Sequence, residues 1–503
     1  MTQRPSIQPI LPVALSLLAA CGPGSDEHAD TSPAAPRNET PPNVLVVTMD
    51  TTRADYLGMY EPERAMLSPK LDAFAEEATV FELAIATASV TPVAHAAILT
   101  GRWNRDHGLR VITADGGYRL PDDVPTLATL LKRAGYATAA IQSSFTVSSY
   151  FGLGQGIDEM DDFDAPLFET DDGEYIDWKL DQFQRRSDET ADRAISYLDR
   201  TPEPFFLWLH FWDPHDKDIL PPGCTATKQP AIYRNEIRYM DSQIHRVFEH
   251  LREQGRWDDT IVVVVSDHGQ GLRDHGWFGH RTLHQEQIHV PLMIRVPGAQ
   301  QKGRVASLVR SIDILPTILD YLGMEVPEGT DGRSLRPLME GREDEPRVAF
   351  ADQINRFDRN AKMMEQKPLD DFLYCAMDAT WKLTYRPTHP DLSELYNIAE
   401  DPKELNNLYA KRPEEVSRLL TMLSEEDPWV TQPFAPLESD GEGRDAALSA
   451  LSALGYAAGG DAPPEAGELR WEWFCPSLEH ESVSGEAGRC PECGLNLVPR
   501  AEQ

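Results

Sequence analysis

No apolar stretch in this chain is long enough to cross a bilayer. The longest, residues 9–20 (P-I-L-P-V-A-L-S-L-L-A-A), falls short of the roughly 20 residues a spanning helix needs and has instead the length of a signal-peptide core. Basic charge is scarce as well: 47 Lys and Arg face 82 Asp and Glu, for a net charge of −35. Counterion release needs clustered Lys and Arg, so a nucleic-acid or anionic-membrane surface is excluded. An anionic substrate must then be drawn in by a local cationic pocket against the overall field. Cysteine is rare, six in 503 residues, which excludes a disulfide scaffold. Cys224 and Cys375 are the two that lie in the body of the chain; in an exported protein they can pair, or remain two free buried thiols. Internal repeats of about 20 to 50 residues, the mark of solenoids and propellers, are absent too.

What is present begins with an export signal. The apolar run ends in L-A-A-C, with Cys21 followed by Gly22, and resembles the lipobox of bacterial lipoproteins. The resemblance implies cleavage before Cys21, lipid attachment there and a place in the bacterial cell envelope, periplasmic or on the outer surface, with the lipid as the membrane contact. Residues 22–42 have no apolar periodicity and many Pro, Ser and acidic residues, as expected of a disordered tether.

The body alternates strands and helices. Residues 43–50, N-V-L-V-V-T-M-D, and 261–269, I-V-V-V-V-S-D-H-G, read as buried strands. Helices are predicted over residues 68–79, 121–135, 188–200 and 232–254, with P-F-F-L-W-L-H as a further buried strand. This order predicts an α/β fold, a mostly parallel sheet sandwiched by helices, over residues 43–300. Beyond residue 300 a helix at 313–323 and a hairpin within 381–398 predict a smaller α+β subdomain over residues 301–430. Residues 431–470, rich in Ala, Gly, Pro and acids, read as a linker to a Cys-rich segment over residues 471–503.

Both apolar strands end on metal ligands. In an open α/β sheet ligands bind at the carboxyl ends of the strands, so Asp50, Asp267 and His268 can surround one divalent cation, Ca, Mg or Mn. Between them, A-S-V-T-P-V-A-H-A-A-I-L-T-G (88–101) reads as a helix with Thr91 as N-cap, Pro92 as first residue and Gly101 as its end. The Thr91 hydroxyl then sits at the positive end of a helix dipole, can be the fourth ligand, and is acidified when a metal holds it. Such a nucleophile suits an anionic tetrahedral centre, a phosphorus or sulfur(VI) ester. A proton for the leaving group and charge for its oxygens can come from His95, His215 or His280. Arg53 can steady the anion or simply pair with Asp55, and Lys217 is a further cationic candidate. His275, His284 and His289 read as structural, although a second metal can recruit one of them.

Five segments together resemble the sulfatase family of the alkaline phosphatase superfamily. They are D-T-T-R-A-D-Y-L-G (50–58), T-P-V-A-H-A-A-I-L-T-G (91–101), W-D-P-H (212–215), V-S-D-H-G-Q-G-L-R-D-H-G (265–276), and W-K-L followed by E-L-Y-N-I-A-E-D-P-K-E-L-N-N-L. The resemblance implies an alkaline-phosphatase-like fold and hydrolysis of sulfate or related esters, on a small molecule or a glycan. It places metal ligands at Asp50, Asp267 and His268, the nucleophile at Thr91, a sulfate-contacting histidine at His215 and the family's later basic residue at His280.

Three departures stand out. Thr91 replaces the Cys or Ser that becomes formylglycine, Thr51 replaces a second aspartate, and the lysine-bearing G-K-W-H segment has no counterpart near residues 141–152. Threonine at the reacting position resembles phosphodiesterases and phosphotransferases of the same superfamily, so phosphodiester or phosphonate monoester hydrolysis is the second reading. A metal-binding pseudoenzyme is the third.

Near the end of the chain, C-P-E-C-G supplies Cys490 and Cys493, with Cys475 and His480 upstream. Three thiolates and an imidazole make a closed tetrahedral zinc site. The segment also resembles a short heavy-metal-binding domain, with Ser477 and Leu478 in place of that domain's Met and His.

Overall fold

The computed structural model describes residues 40–112, 118–163, 183–215, 220–298, 303–342, 344–358, 361–427 and 430, together with short strands between 470 and 502. The expected signal peptide, most of the tether, Lys217 and all four expected zinc ligands (Cys475, His480, Cys490, Cys493) lie outside the described residues. Among the described residues no helix is long and apolar enough to cross a membrane.

Eight strands form the large sheet: β1 (Asn43–Met49), β2 (Thr79–Ile85), β3 (Ala137–Ile141), β4 (Glu159–Asp161), β5 (Phe205–Phe211), β6 (Thr260–Ser266), β7 (His289–Arg295) and β8 (Gly303–Arg310). Their spatial order is β4-β3-β5-β1-β6-β7-β2-β8. Neighbours pair in parallel except β7, which is antiparallel to both β6 and β2.

β1, β5 and β6 are buried along their whole length, which is why they read as unbroken apolar runs. Alternate side chains feed two cores. Val44, Val46, Trp208, Val263 and Val265 pack with the helices Thr91–Thr100, Leu127–Arg133 and Ile314–Leu322 on one face. Leu45, Val47, Leu207, Leu209, Val262 and Val264 pack with Pro69–Ala75, Ser187–Leu198 and Ala231–Glu253 on the other. Each such side chain contributes about 1.5–3 kcal/mol, so a carboxylate at Val263 would break the sheet at its centre.

The mostly parallel α/β sandwich was expected, but some of its edges were not. β2 starts at Thr79, directly after the helix Pro69–Ala75, where the helical reading of 68–79 ended. The helix expected over 121–135 is Leu127–Arg133, because Thr126 caps it by accepting the Thr129 N–H. β8 and the helix Ile314–Leu322, expected in the smaller subdomain, join the large sheet, β8 pairing with β2.

A second, antiparallel sheet runs β12-β11-β10-β9, with β9 Ala349–Ile354, β10 Phe372–Met377, β11 Trp381–Tyr385 and β12 Glu394–Asn397. The expected hairpin within 381–398 is β11 with β12. One face packs the helix Pro413–Glu426. The other packs Leu373, Cys375 and Met377 against Ile85, Leu283, Ile288 and Leu308 of the large domain. Cys375 is therefore a buried free thiol, while Cys224 is free and partly exposed. A three-stranded antiparallel sheet is formed by β13 (Arg470–Phe474), β14 (Val483–Ser484) and β15 (Val498–Glu502), in the order β14-β13-β15.

Candidate active site

The parallel register puts the site at one edge. Met49 of β1 is level with Phe211 of β5 and with Ser266 of β6, so the next residues, Asp50, Trp212 and Asp267, emerge side by side. β1 lies between strands reached from opposite directions, a topological switch point where a crevice opens. The chain turns sharply at once: Thr51 has φ of 49°, which costs a residue with a Cβ about 1–2 kcal/mol. Asp267 Oδ1 accepts the Thr51 N–H at 3.1 Å and the Tyr233 hydroxyl donates to Thr51 O at 2.6 Å, together holding that turn.

Thr91 arrives on the helix Thr91–Thr100. The structure moves its start by one residue: Val90 is the N-cap and Thr91 the first helical residue, with Gly101 closing the helix at φ of 67°. The Thr91 hydroxyl lies 3.3 Å from Asp50 Oδ2 and 3.2 Å from His268 Nε2.

Asp50, Thr91, Asp267 and His268 are fully buried, and the ligand atoms of Asp50, Asp267 and His268 lie within 4.8 Å of one another. The Nδ1–H of His268 donates to Gly269 O at 2.9 Å, which leaves Nε2 with its lone pair toward the cluster. Asp267 Oδ1 also takes the His268 N–H at 2.7 Å. Asp50 Oδ1, Asp267 Oδ2 and the Thr51 hydroxyl are buried without a hydrogen-bond partner.

Burial pushes the Asp50 carboxyl well above the usual range, and burial together with the Asp50 charge does the same to Asp267. Two carboxylates in a dry site cannot both ionise without a cation. Unsatisfied oxygens beside one imidazole are the donor set of a divalent cation of the Ca, Mg or Mn kind, and these residues fit it.

The candidate histidines gather around this centre. His95, one turn along the helix, donates from Nδ1 to Thr91 O at 2.7 Å and lies 3.5 Å from Asp267 Oδ2. His215 stacks on Trp212 with centroids 3.9 Å apart, and its Nε2 is 3.3 Å from His280 Nε2. His280 donates from Nδ1 to Ser89 O at 2.7 Å, and its ring centroid is 4.7 Å from that of His268. Burial, and then the His215 charge, hold His280 well below the usual histidine range.

Arg53 is not brought into the centre. Its guanidinium binds both oxygens of Asp55 at 2.8 and 2.9 Å, Asp274 at 2.8 Å and the carbonyls of Gln270 and Gly271. Of the two roles open to it, the structure gives it the pairing with Asp55.

Sequence reasoning passed over His210. Its Nε2 is 3.2 Å from Asp50 Oδ2. The signal was a polar residue closing the apolar string P-F-F-L-W-L-H, level with Thr48 of β1.

A second group, His275, His284 and Glu404, also clusters within metal-ligand reach. The two rings, however, stack with centroids 3.8 Å apart and planes 4° from parallel. A ligated ion lies in the plane of each imidazole, and two such planes cannot share one ion, so the group does not fit a cation. His289 is structural, donating from Nε2 to Glu82 O at 2.9 Å.

Comparison with known proteins accords with this geometry. The sulfatase family model matches residues 42–324, and that of the C-terminal region of N-sulphoglucosamine sulphohydrolase matches residues 273–426. N-acetylglucosamine-6-O-sulfatase of Bacteroides thetaiotaomicron is 24% identical, covering 82% of this chain and 89% of that protein. The multifunctional alkaline phosphatase superfamily protein PehA of Trinickia caryophylli is 26% identical, covering 73% and 91%.

Two solved structures share the fold. One, in complex with its substrate D-glucosamine-2-N,6-O-disulfate, gives a TM-score of 0.62 at 22% identity over 77% of this chain and 97% of that one. The phosphonate monoester hydrolase from Silicibacter pomeroyi gives 0.58 at 23% identity over 76% and 94%. The family match spans the large sheet and every residue of the buried cluster, and the chain therefore belongs to the sulfatase family of sulfuric ester hydrolases.

Proposed function

We propose that this protein hydrolyses a sulfate ester of a small sugar or glycan, with Thr91 as the attacking oxygen and Asp50, Asp267, His268 and Thr91 as ligands of one divalent cation. The observation that carries this reading is the buried meeting of three ligand side chains, two with unsatisfied oxygens, around the Thr91 hydroxyl, which lies 3.3 Å from Asp50 Oδ2 and 3.2 Å from His268 Nε2. When bound, the cation would acidify that hydroxyl and stabilise charge on the ester oxygens.

The chain's own groups do the rest. Asp50 Oδ2, 3.3 Å from the Thr91 hydroxyl, takes its proton. The Thr91 oxygen bonds to sulfur as the sulfur–oxygen bond to the alcohol breaks. The His215 and His280 pair, joined through their Nε2 atoms, delivers a proton to the departing alkoxide. Trp212, stacked on His215, stabilises that ring when it is charged. Water then attacks the sulfur and gives one proton back to the His215 and His280 pair; the bond from sulfur to the Thr91 oxygen breaks, that oxygen recovers the proton held by Asp50, and hydrogen sulfate leaves. Thr51 in place of a second carboxylate leaves the ligand set less negative and the site more electrophilic.

A phosphodiester or phosphonate monoester is the second reading. Thr91 favours it, since a threonine oxygen leaves poorly from sulfur, and a phosphonate monoester hydrolase shares the fold. We also propose export and lipid attachment at Cys21, on the strength of the L-A-A-C string, and a structural zinc at Cys475, His480, Cys490 and Cys493.

Full-length protein assayed on aryl sulfate, aryl phosphodiester and aryl phosphonate tests the reading. Thr91→Ala should cost on the order of 10³-fold or more on the preferred ester. Undiminished turnover in that variant removes Thr91 from the chemistry, and silence of the wild type on all three favours a binding module.

A further inference from the structure

His210 lies in the interior of β5, fully buried, and a lone histidine in a core strand needs a polar partner at each ring nitrogen. One of its partners is a proposed metal ligand. Ser143 donates its backbone N–H to Nδ1 at 3.4 Å, so the ring proton sits on Nε2, the nitrogen 3.2 Å from Asp50 Oδ2. The Ser143 hydroxyl binds the His210 carbonyl and lies 2.6 Å from the Thr190 hydroxyl, which ties the ring's own backbone to the segment after β3 and to the helix Ser187–Leu198. His95 packs against one side of the ring with centroids 5.2 Å apart, and Trp212 lies 6.1 Å away.

The consequence falls on Asp50. Its Oδ2 receives hydrogen bonds from the His210 ring and from Thr91, while its Oδ1 is left buried and unpartnered. A carboxylate held at one oxygen cannot rotate to offer the other, so the atom turned to the ion and the atom turned to the nucleophile are fixed separately. We propose that His210 is the positioning residue of this site: its Nε2–H locks the Asp50 carboxylate with Oδ1 committed to the cation and Oδ2 to the Thr91 proton. This rests on the reading of Asp50 as a metal ligand. Nothing in the inference requires His210 to change its charge, and it acts through Asp50. Partners that orient a metal ligand typically matter by about 10–100-fold in affinity.

Three variants separate the role from bulk. In His210→Gln the side-chain amide reaches the place of Nε2 and can donate to Asp50; in His210→Asn the amide stops short; His210→Phe fills the volume without a donor. Mn2+ titrated into metal-stripped full-length protein, with free ion read by electron paramagnetic resonance, gives affinity without turnover. We expect Asn and Phe to weaken Mn2+ binding about 10–100-fold and to lower kcat at saturating metal with KM within a few-fold of wild type, while Gln stays near wild type in both. Equal Mn2+ affinity in Gln and Asn would overturn the inference even if Phe fails to fold. Asp50→Asn distinguishes the two layers: if it binds Mn2+ like wild type, the metal reading fails; if it loses Mn2+ while the His210 variants keep it, only the role of His210 fails.

Discussion

Among the described residues two clusters of histidine and carboxylate lie buried, and they solve the same electrostatic problem in opposite ways. In the one at the junction of the two sheets, Glu404 forms an ion pair with Lys382 at 2.6 Å and lies 3.4 Å from His284, while Glu286 binds His275 at 3.0 Å. Despite burial, the Lys382 and His284 charges hold Glu404 down at about 2, and His275 lowers Glu286. In the other cluster burial pushes both carboxyls up, and the Asp50 charge adds to the effect on Asp267. One cluster carries its own cations and is complete as folded. The other could be completed by a cation from outside, and that deficit is why we propose it as the functional one.

The comparison breaks most decisively by neutralising one carboxylate in each cluster. Asp267→Asn should cut ester turnover on the order of 10³-fold, yet raise the melting temperature of metal-stripped protein, because burial there keeps the Asp267 carboxyl neutral against its ordinary acidity and an amide is spared that cost. Glu404→Gln should do the reverse: turnover per folded molecule within a few-fold of wild type, and stability lower by about 3–5 kcal/mol, because Lys382 is left buried and alone. If both variants move the metal-stripped melting temperature the same way, the contrast between the clusters is wrong.

Acidity sharpens the contrast with a smaller effect. His275 is raised to about 9, although burial opposes it, by the Glu286 carboxylate and the Glu404 carbonyl. A histidine raised on folding stabilises fully below its ordinary value near 6.5 and loses that contribution as pH climbs through about 9. Glu404, depressed to about 2, stabilises above the ordinary value near 4.5 and loses it as pH falls through about 2. The His275 contribution is of order 2–4 kcal/mol. Urea unfolding of wild type and His275→Gln should therefore differ most at pH 6 and converge by pH 10; a constant difference would assign the loss to packing. The smallest effect belongs to Arg53. Arg53→Gln should lower stability by about 1–3 kcal/mol, since Asp274 loses this partner and Asp55 is left with Arg64, and leave kcat within about threefold; a loss of several hundred-fold would return Arg53 to the centre.

The active cluster was legible in the sequence because hydrophobic strands that end on Asp50 and on Asp267 with His268 break a pattern, and a break at a strand end points to chemistry. His215 and His280 followed the same logic. His210 did not: it belongs to the apolar string itself, where one histidine reads as core, and its partner lies 160 residues away. Arg53 stayed ambiguous because Asp55 was visible two positions on, while Asp274 was far off in the chain.

The sheet was legible where strands are buried on both faces. β8, with most of its first five residues exposed, and β7, interrupted by Pro291, lack that unbroken run. β2 was hidden by its abrupt start after a helix. Thr51 was noticed as a missing carboxylate, but not as the tight turn that presents Asp50.

The central claim is that Asp50, Asp267 and His268 hold one catalytic divalent cation. Calorimetric titration of Ca2+, Mg2+ and Mn2+ in turn into metal-stripped full-length protein, with ester turnover followed in parallel, tests it most directly. The account predicts one ion per chain for at least one of these metals, turnover restored in proportion to occupancy, and no binding when both Asp50 and Asp267 are changed to Asn. Full turnover in the stripped protein, or unchanged binding in the double variant, would contradict it.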